Sequence, residues 1–432
     1  MLRGAVLAAL VSLLAGQVKL RDLPSFFYTA APRYDAAAWN HGGERFPDGA
    51  HLVLVTAGGR RDVAPGFFAS ADAAVSYDGR RVLFAGRLSR QDRWQIWQAD
   101  LAGGPPQRVV TNSDACIRPL YLPDGNVVYT RVTPAGSDIE TLPSAGGKAD
   151  VLTHAPGWYL TDDILRDGRI LFEWAGELFT VYPDGTGVES LRCDHGPRRA
   201  EGRQVSSGDV IFSTEGGLAR FTSALAVQEK WPPVGLEVIG PVAEVAADCW
   251  LAAARPRSGG AYAIHRMGSG SAALESIESP KGVQAVDPVV VTARVPPREF
   301  PSALVAARTT GNLLCLDAKE SKTPIAGTIH AVRVYTRDSS GASQLLGQTG
   351  IAPDGSFYVE VPADRPIRMD LLNAAGASLR AEEHWFWMRP SEQRICVGCH
   401  AGPERAPENK VPEILNQILA PVKMLGDFGR PQ

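Results

Sequence analysis

The strongest chemical signal in the sequence is a pair of cysteines followed directly by a histidine. Cys396, Cys399 and His400 form the pattern Cys-Val-Gly-Cys-His. Two thiols at this spacing match the two vinyl groups on one edge of a porphyrin, and the adjacent histidine is then placed to bind the iron. We therefore expect one covalent haem c, attached through Cys396 and Cys399, with His400 as an axial ligand of the iron.

Other chemistries also use two cysteines at this spacing. A structural zinc site normally needs a second Cys or His pair at short spacing, and none follows the motif. A thioredoxin-like redox site needs a βαβ setting, which the sequence pattern does not offer. A structural zinc site or a disulfide at Cys396 and Cys399 stays open as an alternative, and the protein would then be a haem-free binding module.

The motif does not define the second axial ligand of the iron. Met424, downstream of the motif, is one candidate. His384 and Met388, upstream of it, are two others, and we predict that they share one face of a strand. Each of the three also has an ordinary interpretation as a packing or surface residue.

The N-terminus has the pattern of a secretory signal peptide over residues 1–17. Arg3 precedes an apolar run that ends in the small residues Ala15 and Gly16. This run is too short to cross a bilayer comfortably, so we expect no transmembrane span after signal cleavage. The signal-peptide pattern therefore predicts that the protein is exported to the periplasm or the cell exterior, where disulfides persist.

The composition narrows the class of protein. The chain has 432 residues, 44% hydrophobic and 21% charged, with a formal net charge of -3. These values exclude a disordered tail, a collagen-like fibre and a polytopic membrane protein. Basic residues do not outnumber acidic ones, so nucleic acid is not an expected partner. The 44 glycines and 32 prolines predict many turns between short strands.

A repeat of short strands and Asp-Gly turns runs through the middle of the chain. Its clearest copies centre on the turns at residues 78–79, 124–125 and 167–168, with a fainter one near 207–209. A spacing of about 41 to 46 residues with short strands is typical of a propeller blade. The units are similar to TolB-like propeller repeats. We predict a β-propeller of about six blades over residues 40–296, or seven if the strand at 51–56 closes the ring.

A second, smaller β-domain is predicted after the propeller. The proline-rich stretch 294–301 indicates a boundary. We predict a β-sandwich over residues 302–390 and an irregular haem-binding segment over 391–432, which makes the fold mainly β. The strands expected in the sandwich are 312–317, 331–337, 356–361, 367–372 and 384–388.

Several stretches of the chain resemble the hydrazine synthase alpha-subunit family. They are residues 72–79, 94–97, 311–317, 353–366 and 394–400. The resemblance implies an exported β-propeller joined to a β-rich middle domain that carries a c-type haem.

The resemblance also implies a set of metal ligands. In that family the motif histidine is drawn to a zinc ion with the help of a cysteine, and a tyrosine four residues later binds the iron. The matching positions here are His400, Cys315 and Glu404. Because Glu404 is not a tyrosine, we expect His400 to bind the iron directly. Cys315 is then either a zinc ligand or a buried core cysteine.

The predicted function is that of an exported mono-haem c-type protein. We expect it to act in electron transfer or as the haem subunit of a periplasmic redox complex, with the propeller docking a redox partner protein or other subunits. One alternative is a haem enzyme acting on small nitrogen or oxygen compounds. The alpha subunits of the family carry a further haem domain beyond the end of this sequence, so hydrazine synthesis itself is not expected.

Overall fold

The protein is built almost entirely from antiparallel β-sheets. The computed structural model describes residues 23–192, 196–215, 217–222, 227–231, 235–268, 274–338, 340–398 and 410–426. Within these ranges the strands form eight four-stranded sheets. In the described part of the chain, no helix is long and apolar enough to cross a membrane.

Six of the sheets contain the strands that precede residue 291. In chain order these strands are β1 (Phe26–Ala31), β2 (His51–Thr56), β3 (Gly59–Asp62), β4 (Ala69–Val75), β5 (Arg81–Arg87), β6 (Gln95–Asp100), β7 (Gln107–Arg108), β8 (Ala115–Tyr121), β9 (Val127–Thr133), β10 (Gly136–Leu142), β11 (Asp150–Val151), β12 (Tyr159–Ile164), β13 (Ile170–Trp174), β14 (Glu177–Val181), β15 (Glu189–Ser190), β16 (Ala200–Gln204), β17 (Val210–Thr214), β18 (Gly217–Thr222), β19 (Val227–Trp231), β20 (Leu236–Ala246), β21 (Cys249–Pro256), β22 (Ala263–Gly268), β23 (Glu275–Glu278) and β24 (Gln284–Val290).

These six sheets are the blades of a closed propeller. Blade 1 has the order β24-β1-β2-β3, and blades 2 to 6 each take four consecutive strands from β4 to β23. The inner strands β24, β4, β8, β12, β16 and β20 contact one another in sequence around the ring. The six-bladed propeller predicted from the repeat is confirmed.

Blade 1 closes the ring by joining the two ends of the propeller segment. Strand β24 pairs with β1, with Ala30 opposite Ala285, and β1 pairs with β2. The strand at His51–Thr56 is therefore the third strand of blade 1 rather than the start of a seventh blade. The propeller begins at Phe26, upstream of the predicted start at residue 40.

The Asp-Gly turns of the repeat do more than reverse the chain. Gly79 and Gly168 have φ values of 71° and 86°, in the left-handed region that glycine adopts without strain. Each also lies under the segment that follows the propeller. A Cβ atom on Gly79 would lie 3.0 Å from the backbone nitrogen of Ala293, and one on Gly168 would lie 2.4 Å from the carbonyl oxygen of Arg298.

Two further sheets form the predicted sandwich. Its strands are β25 (Thr310–Asp317), β26 (Ala331–Arg337), β27 (Ser343–Gly350), β28 (Phe357–Pro362), β29 (Ile367–Leu372), β30 (Ser378–Ala381), β31 (Gln393–Gly398) and β32 (Val422–Lys423), and a four-residue helix, α1 (Ile414–Gln417), precedes β32.

The predicted haem-binding segment is partly built into the sandwich. One sheet has the order β31-β25-β28-β32, and the other has the order β27-β26-β29-β30. Strands β31 and β32 both pair in parallel, with β25 and β28. The described residues after 390 therefore extend a sandwich sheet, where the sequence predicted an irregular segment.

The prediction of a strand at residues 384–388 is wrong. Apart from an isolated bridge between Ile367 and Phe386, this stretch makes no described strand pairing. It lies between the two domains instead, because Trp385 and Trp387 pack into a hydrophobic cluster with the propeller residues Tyr159 and Trp174. The alternating pattern thus reflects burial at a domain interface rather than in a sheet.

A candidate cofactor cavity between propeller and sandwich

A cavity of about 740 Å³ lies between blade 4 and the sandwich. This volume is within the range of sites for cofactors and other small molecules. The propeller contributes β14 and the turns around it, and the sandwich contributes the stretch before β31 and β31 itself. The aromatic residues of its lining are Trp174, Phe179, Tyr182, Phe300, Trp385 and Phe386.

The first cysteine of the Cys-Val-Gly-Cys-His motif lies in the wall of this cavity. Cys396 belongs to β31, and the residues from Ser391 to Gly398, which include all of β31, line one side. Burial raises the pKa of the Cys396 thiol to about 11, so the sulfur is protonated at neutral pH. Cys399 and His400 lie outside the described residues, as does Glu404. The structure therefore brings one of the three predicted haem-binding residues to the cavity and leaves the other two as predictions.

Gly398, between the two motif cysteines, is required by close packing. A Cβ atom at this position would lie 2.5 Å from the carbonyl oxygen of Glu320 and 2.9 Å from that of Asp317. Backbone oxygens cannot move aside as a flexible side chain can. The motif strand is thus held directly against the turn that follows β25.

Cys315, the candidate zinc ligand, lies beside Cys396. It is 3% exposed, and its sulfur-bearing side chain belongs to the core of the sandwich, against which Cys396 also packs. The two cysteines are register partners on the parallel strands β25 and β31. In the described residues, no group of three or more His, Cys, Asp or Glu side chains is arranged to hold a metal ion. The zinc site implied by the resemblance therefore stays a prediction that depends on His400.

The candidates for the second axial ligand are separated by the fold. His384 lines the cavity, where its ring centroid lies 5.6 Å from that of Trp174 and 6.0 Å from that of Phe179. Met424 is 1% exposed and Met388 is fully buried, and both pack in the core of the sandwich. Neither methionine is among the described residues that line the cavity. Of the three, the structure brings only His384 to the cavity.

Trp385 is held in the cavity wall by two arginines. The guanidinium carbons of Arg337 and Arg368 lie 4.9 Å and 5.3 Å from its ring centroid. A cation above an aromatic face is attracted by the ring's negative quadrupole. The indole is therefore fixed as a flat apolar surface, with both arginines on strands of the sandwich.

A buried clamp fixes the two walls of the cavity relative to each other. Arg389 donates to the carbonyl oxygens of Asp184 and Val151 at 3.0 and 3.1 Å, and to Oδ1 of Asp364 at 3.1 Å. It also donates to Nε2 of His154. Burial and then the charge of Arg389 lower the pKa of His154 to about 3, so this ring stays neutral and accepts the hydrogen bond.

A second group of charged residues fills the centre of the propeller. Arg45 comes from the loop between β1 and β2 and is 2% exposed. Its Nη2 donates to both carboxylate oxygens of Asp287 at 2.8 and 2.9 Å, and its Nη1 donates to Asp72 at 3.3 Å. Burial raises the pKa of Asp72 to about 6 and that of Glu201 to about 7. This loop closes the centre of the ring and joins its inner strands.

Sequence reasoning missed this central network, although a signal for it was available. Asp72, Arg118 and Glu201 have φ values of 58°, 49° and 57° and lie at bulges in the inner strands of their blades. Each stands at the same distance before its blade's turn glycine. Aligning the repeats on these turns would have shown a charged residue at one fixed position in three of them, with Thr161 at that position in the repeat that turns at Gly168. For Arg389, by contrast, no spacing in the sequence indicates its contacts with a distant blade.

Comparisons with known proteins agree with the fold. Residues 312–401 match the family described as hydrazine synthase alpha subunit middle domain. The hydrazine synthase subunit alpha of Kuenenia stuttgartiensis is 34% identical over 61 residues, which is 14% of this chain and 8% of that relative. A solved structure of Kuenenia stuttgartiensis hydrazine synthase superposes with a TM-score of 0.80 and 17% identity over 91% of this chain and 72% of that one. TolB from Acinetobacter baumannii superposes with a TM-score of 0.47 and 15% identity over 62% and 66%.

The fold and the matched domain define a class of protein. The chain is a six-bladed β-propeller joined to a β-sandwich of the hydrazine synthase alpha middle-domain type. Residues 312–401 match the hydrazine synthase alpha family, as the resemblance of the motifs indicated, and the chain as a whole is similar to that subunit in fold. The sequence match to the curated relative spans only a small part of that protein, and the solved structure shows the shared fold.

Proposed function

We propose that this chain carries one covalent haem c in the cavity and serves as the haem-bearing subunit of an exported redox enzyme. The observation that carries the proposal is the position of Cys396 in the wall of a cavity of about 740 Å³. Cys396, Cys399 and His400 would hold the group, the two cysteines through thioether bonds and the histidine at the iron.

The residues in the cavity fit a porphyrin. A flat apolar ring needs aromatic and aliphatic surfaces on both faces, and Trp174, Phe179, Trp385 and Phe386 supply them from both domains. When bound, a haem supplies one-electron chemistry at its iron, and it can bind a small molecule there if an axial position is open.

The polar side chains of the cavity suit proton handling. His384 lies in the wall between aromatic rings, and the two nitrogens of a neutral imidazole can donate one hydrogen bond and accept another. The neighbouring lining includes the carboxylates of Glu382 and Glu383. In the proposed enzyme, His384 orients a small nitrogen or oxygen compound and exchanges a proton with it through a ring nitrogen.

Electron transfer is the second candidate function, and the same histidine favours it. If His384 bound the iron together with His400, the haem would supply electron transfer alone. The two functions thus differ in whether His384 is bonded to the iron. The ligand state of the iron in the haem-loaded protein separates them, as set out in the Discussion.

Hydrazine synthesis is not part of this proposal. The relatives that carry that name share 17% identity in the superposed structure and a short sequence segment in the curated protein. Shared fold does not carry activity. We propose that the propeller docks the other subunits or the redox partner.

The proposal is tested by expressing the full chain with a c-type haem maturation system. Covalent haem that survives denaturing electrophoresis and depends on Cys396 and Cys399 supports it. A matched control is Cys249→Ser, since Cys249 lies in β21 of the propeller and Arg266 donates to its sulfur there.

A further inference from the structure

We propose that Cys315 and Cys396 form a reversible disulfide in the haem-free chain, which blocks haem attachment until it is reduced. The bond itself rests on the fold alone, and its effect on haem attachment rests on the proposed function.

The register of two strands brings these cysteines together. Cys315 and Cys396 are direct partners on the parallel strands β25 and β31. Neighbouring strands lie about 4.8 Å apart, which is within the roughly 4.4–6.8 Å between the Cα atoms of disulfide-linked cysteines. Register partners on parallel strands point to the same face of the sheet. Both side chains accordingly contact the same core of the sandwich.

The position of β31 allows the small movement that closure requires. Linked cysteines have Cβ atoms about 3.8 Å apart on average, somewhat closer than the strand spacing. Among the described residues, β31 is at the edge of its sheet, with β25 as its neighbour. The edge strand can therefore shift towards Cys315 without breaking a second ladder. A disulfide closed in this way is strained and is reduced more easily than a relaxed one.

Exposure sets the order of the chemical steps. Cys396 lines the cavity and can meet a small disulfide there, whereas Cys315 is 3% exposed. The Cys396 thiol gives up its proton as its sulfur attacks a disulfide such as oxidised glutathione, which forms a mixed disulfide and releases one reduced glutathione. The Cys315 thiolate then displaces the second glutathione and forms the bond to Cys396. Two thiols are oxidised, one glutathione disulfide is reduced, and each released thiolate takes up one of the two thiol protons.

The disulfide and the haem exclude each other. A cysteine sulfur can form either a thioether or a disulfide, so Cys396 cannot attach haem while it is bonded to Cys315. Because thiols reverse the disulfide, the pair makes haem attachment dependent on a reductant. Cys315 thereby protects Cys396 from further oxidation before the haem arrives.

Peptide mapping tests the bond directly. Trypsin cleaves after Arg308, Lys319, Arg394 and Arg405, so Cys315 and Cys396 fall in separate peptides, 309–319 and 395–405. The full haem-free chain is treated with oxidised glutathione, trapped with N-ethylmaleimide and digested without reduction. We expect the two peptides as one cross-linked species, which dithiothreitol separates.

Variants identify the partner of Cys396. Cys315→Ala and Cys315→Ser should each abolish the cross-link and leave glutathione on peptide 395–405, whereas Cys249→Ser should keep the cross-link. A bond within peptide 395–405, between Cys396 and Cys399, or a stable glutathione adduct while Cys315 is present, would overturn the proposal. If the cross-link forms but no haem attaches even to the reduced chain, the proposed function fails and the disulfide stands.

Discussion

Trp387 donates a 3.0 Å hydrogen bond from its indole nitrogen to the carbonyl oxygen of Gly185. The first residue belongs to the sandwich and the second to a turn of blade 4, and Trp387 is fully buried. This bond crosses the domain boundary next to the cavity. The cavity is therefore a fixed feature of one packed structure, with walls that come from both domains.

Removing this hydrogen bond should weaken the docking of the two domains while most of the side-chain packing between them is kept. Trp387→Phe keeps an aromatic ring but leaves the Gly185 carbonyl without its donor. We expect the free energy of unfolding to fall by about 1–3 kcal/mol, because a buried acceptor loses its partner and some indole volume is lost. Urea unfolding measures this change. An unchanged midpoint would show that the bond does not hold the domains together.

The hydrogen bonds of Arg389 should contribute more to the free energy of unfolding than the bond from Trp387 to Gly185 does. In Arg389→Lys the charge remains, but an ammonium cannot reach the carbonyls of Asp184 and Val151 and the side chain of Asp364 together. We expect a loss of about 2–4 kcal/mol. Faster trypsin cleavage in the segment 291–309 should accompany it. Arg93→Lys, at an exposed position of the propeller, is the control and should change neither quantity.

The glycine between the motif cysteines should not tolerate a methyl group. Gly398→Ala places a Cβ atom 2.5 Å from the carbonyl oxygen of Glu320, so β31 must move outwards. We expect a loss of about 1–3 kcal/mol in the free energy of unfolding and less haem attached per chain. Gly58→Ala is the matched control, because its nearest neighbour would be Oγ1 of Thr56 at 3.6 Å. Equal stability of both variants would contradict the close packing of β31.

Stability should fall with rising pH because of the propeller centre. Burial raises the pKa of Asp72 to about 6 and that of Glu201 to about 7 in the folded chain. The folded state therefore binds these protons more tightly than the unfolded state, and the resulting stability is present below about pH 4 and is lost as the pH rises through 6 to 7.

Isosteric amides test this pH dependence. In Asp72→Asn and Glu201→Gln the corresponding proton is no longer taken up, so the decline between pH 4 and 7 should be shallower than in the wild type by on the order of 2 kcal/mol for each site. Thermal or urea unfolding across this pH range gives the slopes. Parallel profiles of the wild type and both variants would contradict the raised pKa values.

Replacement of His384 should separate the two candidate functions. If the protein is the proposed enzyme, the reduced haem-loaded protein binds carbon monoxide. His384→Ala then changes the dissociation rate of carbon monoxide by roughly tenfold, and the number of protein ligands on the iron stays the same. His330→Ala, at an exposed position outside the cavity lining, should have no effect. A low-spin iron that becomes high-spin only in His384→Ala would instead show electron transfer with His384 as a ligand.

The fold could be predicted from the sequence where local rules decide it. Asp-Gly turns recur in blades 2 to 4, and short strands with β-branched residues recur along the propeller, so the propeller follows from chemistry near each residue. The pairing of β31 with β25 could not be predicted in this way, because it joins residues far apart in the chain and depends on backbone contacts at Gly398. The burial of Met424 could not be predicted either, because it depends on the pairing of β32 with β28, which is distant in sequence.

The candidate site was predictable to a similar degree. The spacing of Cys396, Cys399 and His400 indicates the chemistry, since it depends on residue types close together in sequence. The cavity itself depends on how a distant blade meets the sandwich. The stretch around Trp385 and Trp387 has the alternation of a strand, and only the packing of two domains shows that it is an interface.

The most direct measurement of the central claim is mass spectrometry of peptide 395–405 from the full chain matured with haem. We predict that this peptide carries one haem bonded through Cys396 and Cys399, and that Cys396→Ala together with Cys399→Ala abolishes the haem stain while Cys249→Ser retains it. An unmodified peptide from well-folded, reduced protein, under conditions in which a known c-type cytochrome matures fully, would contradict the account.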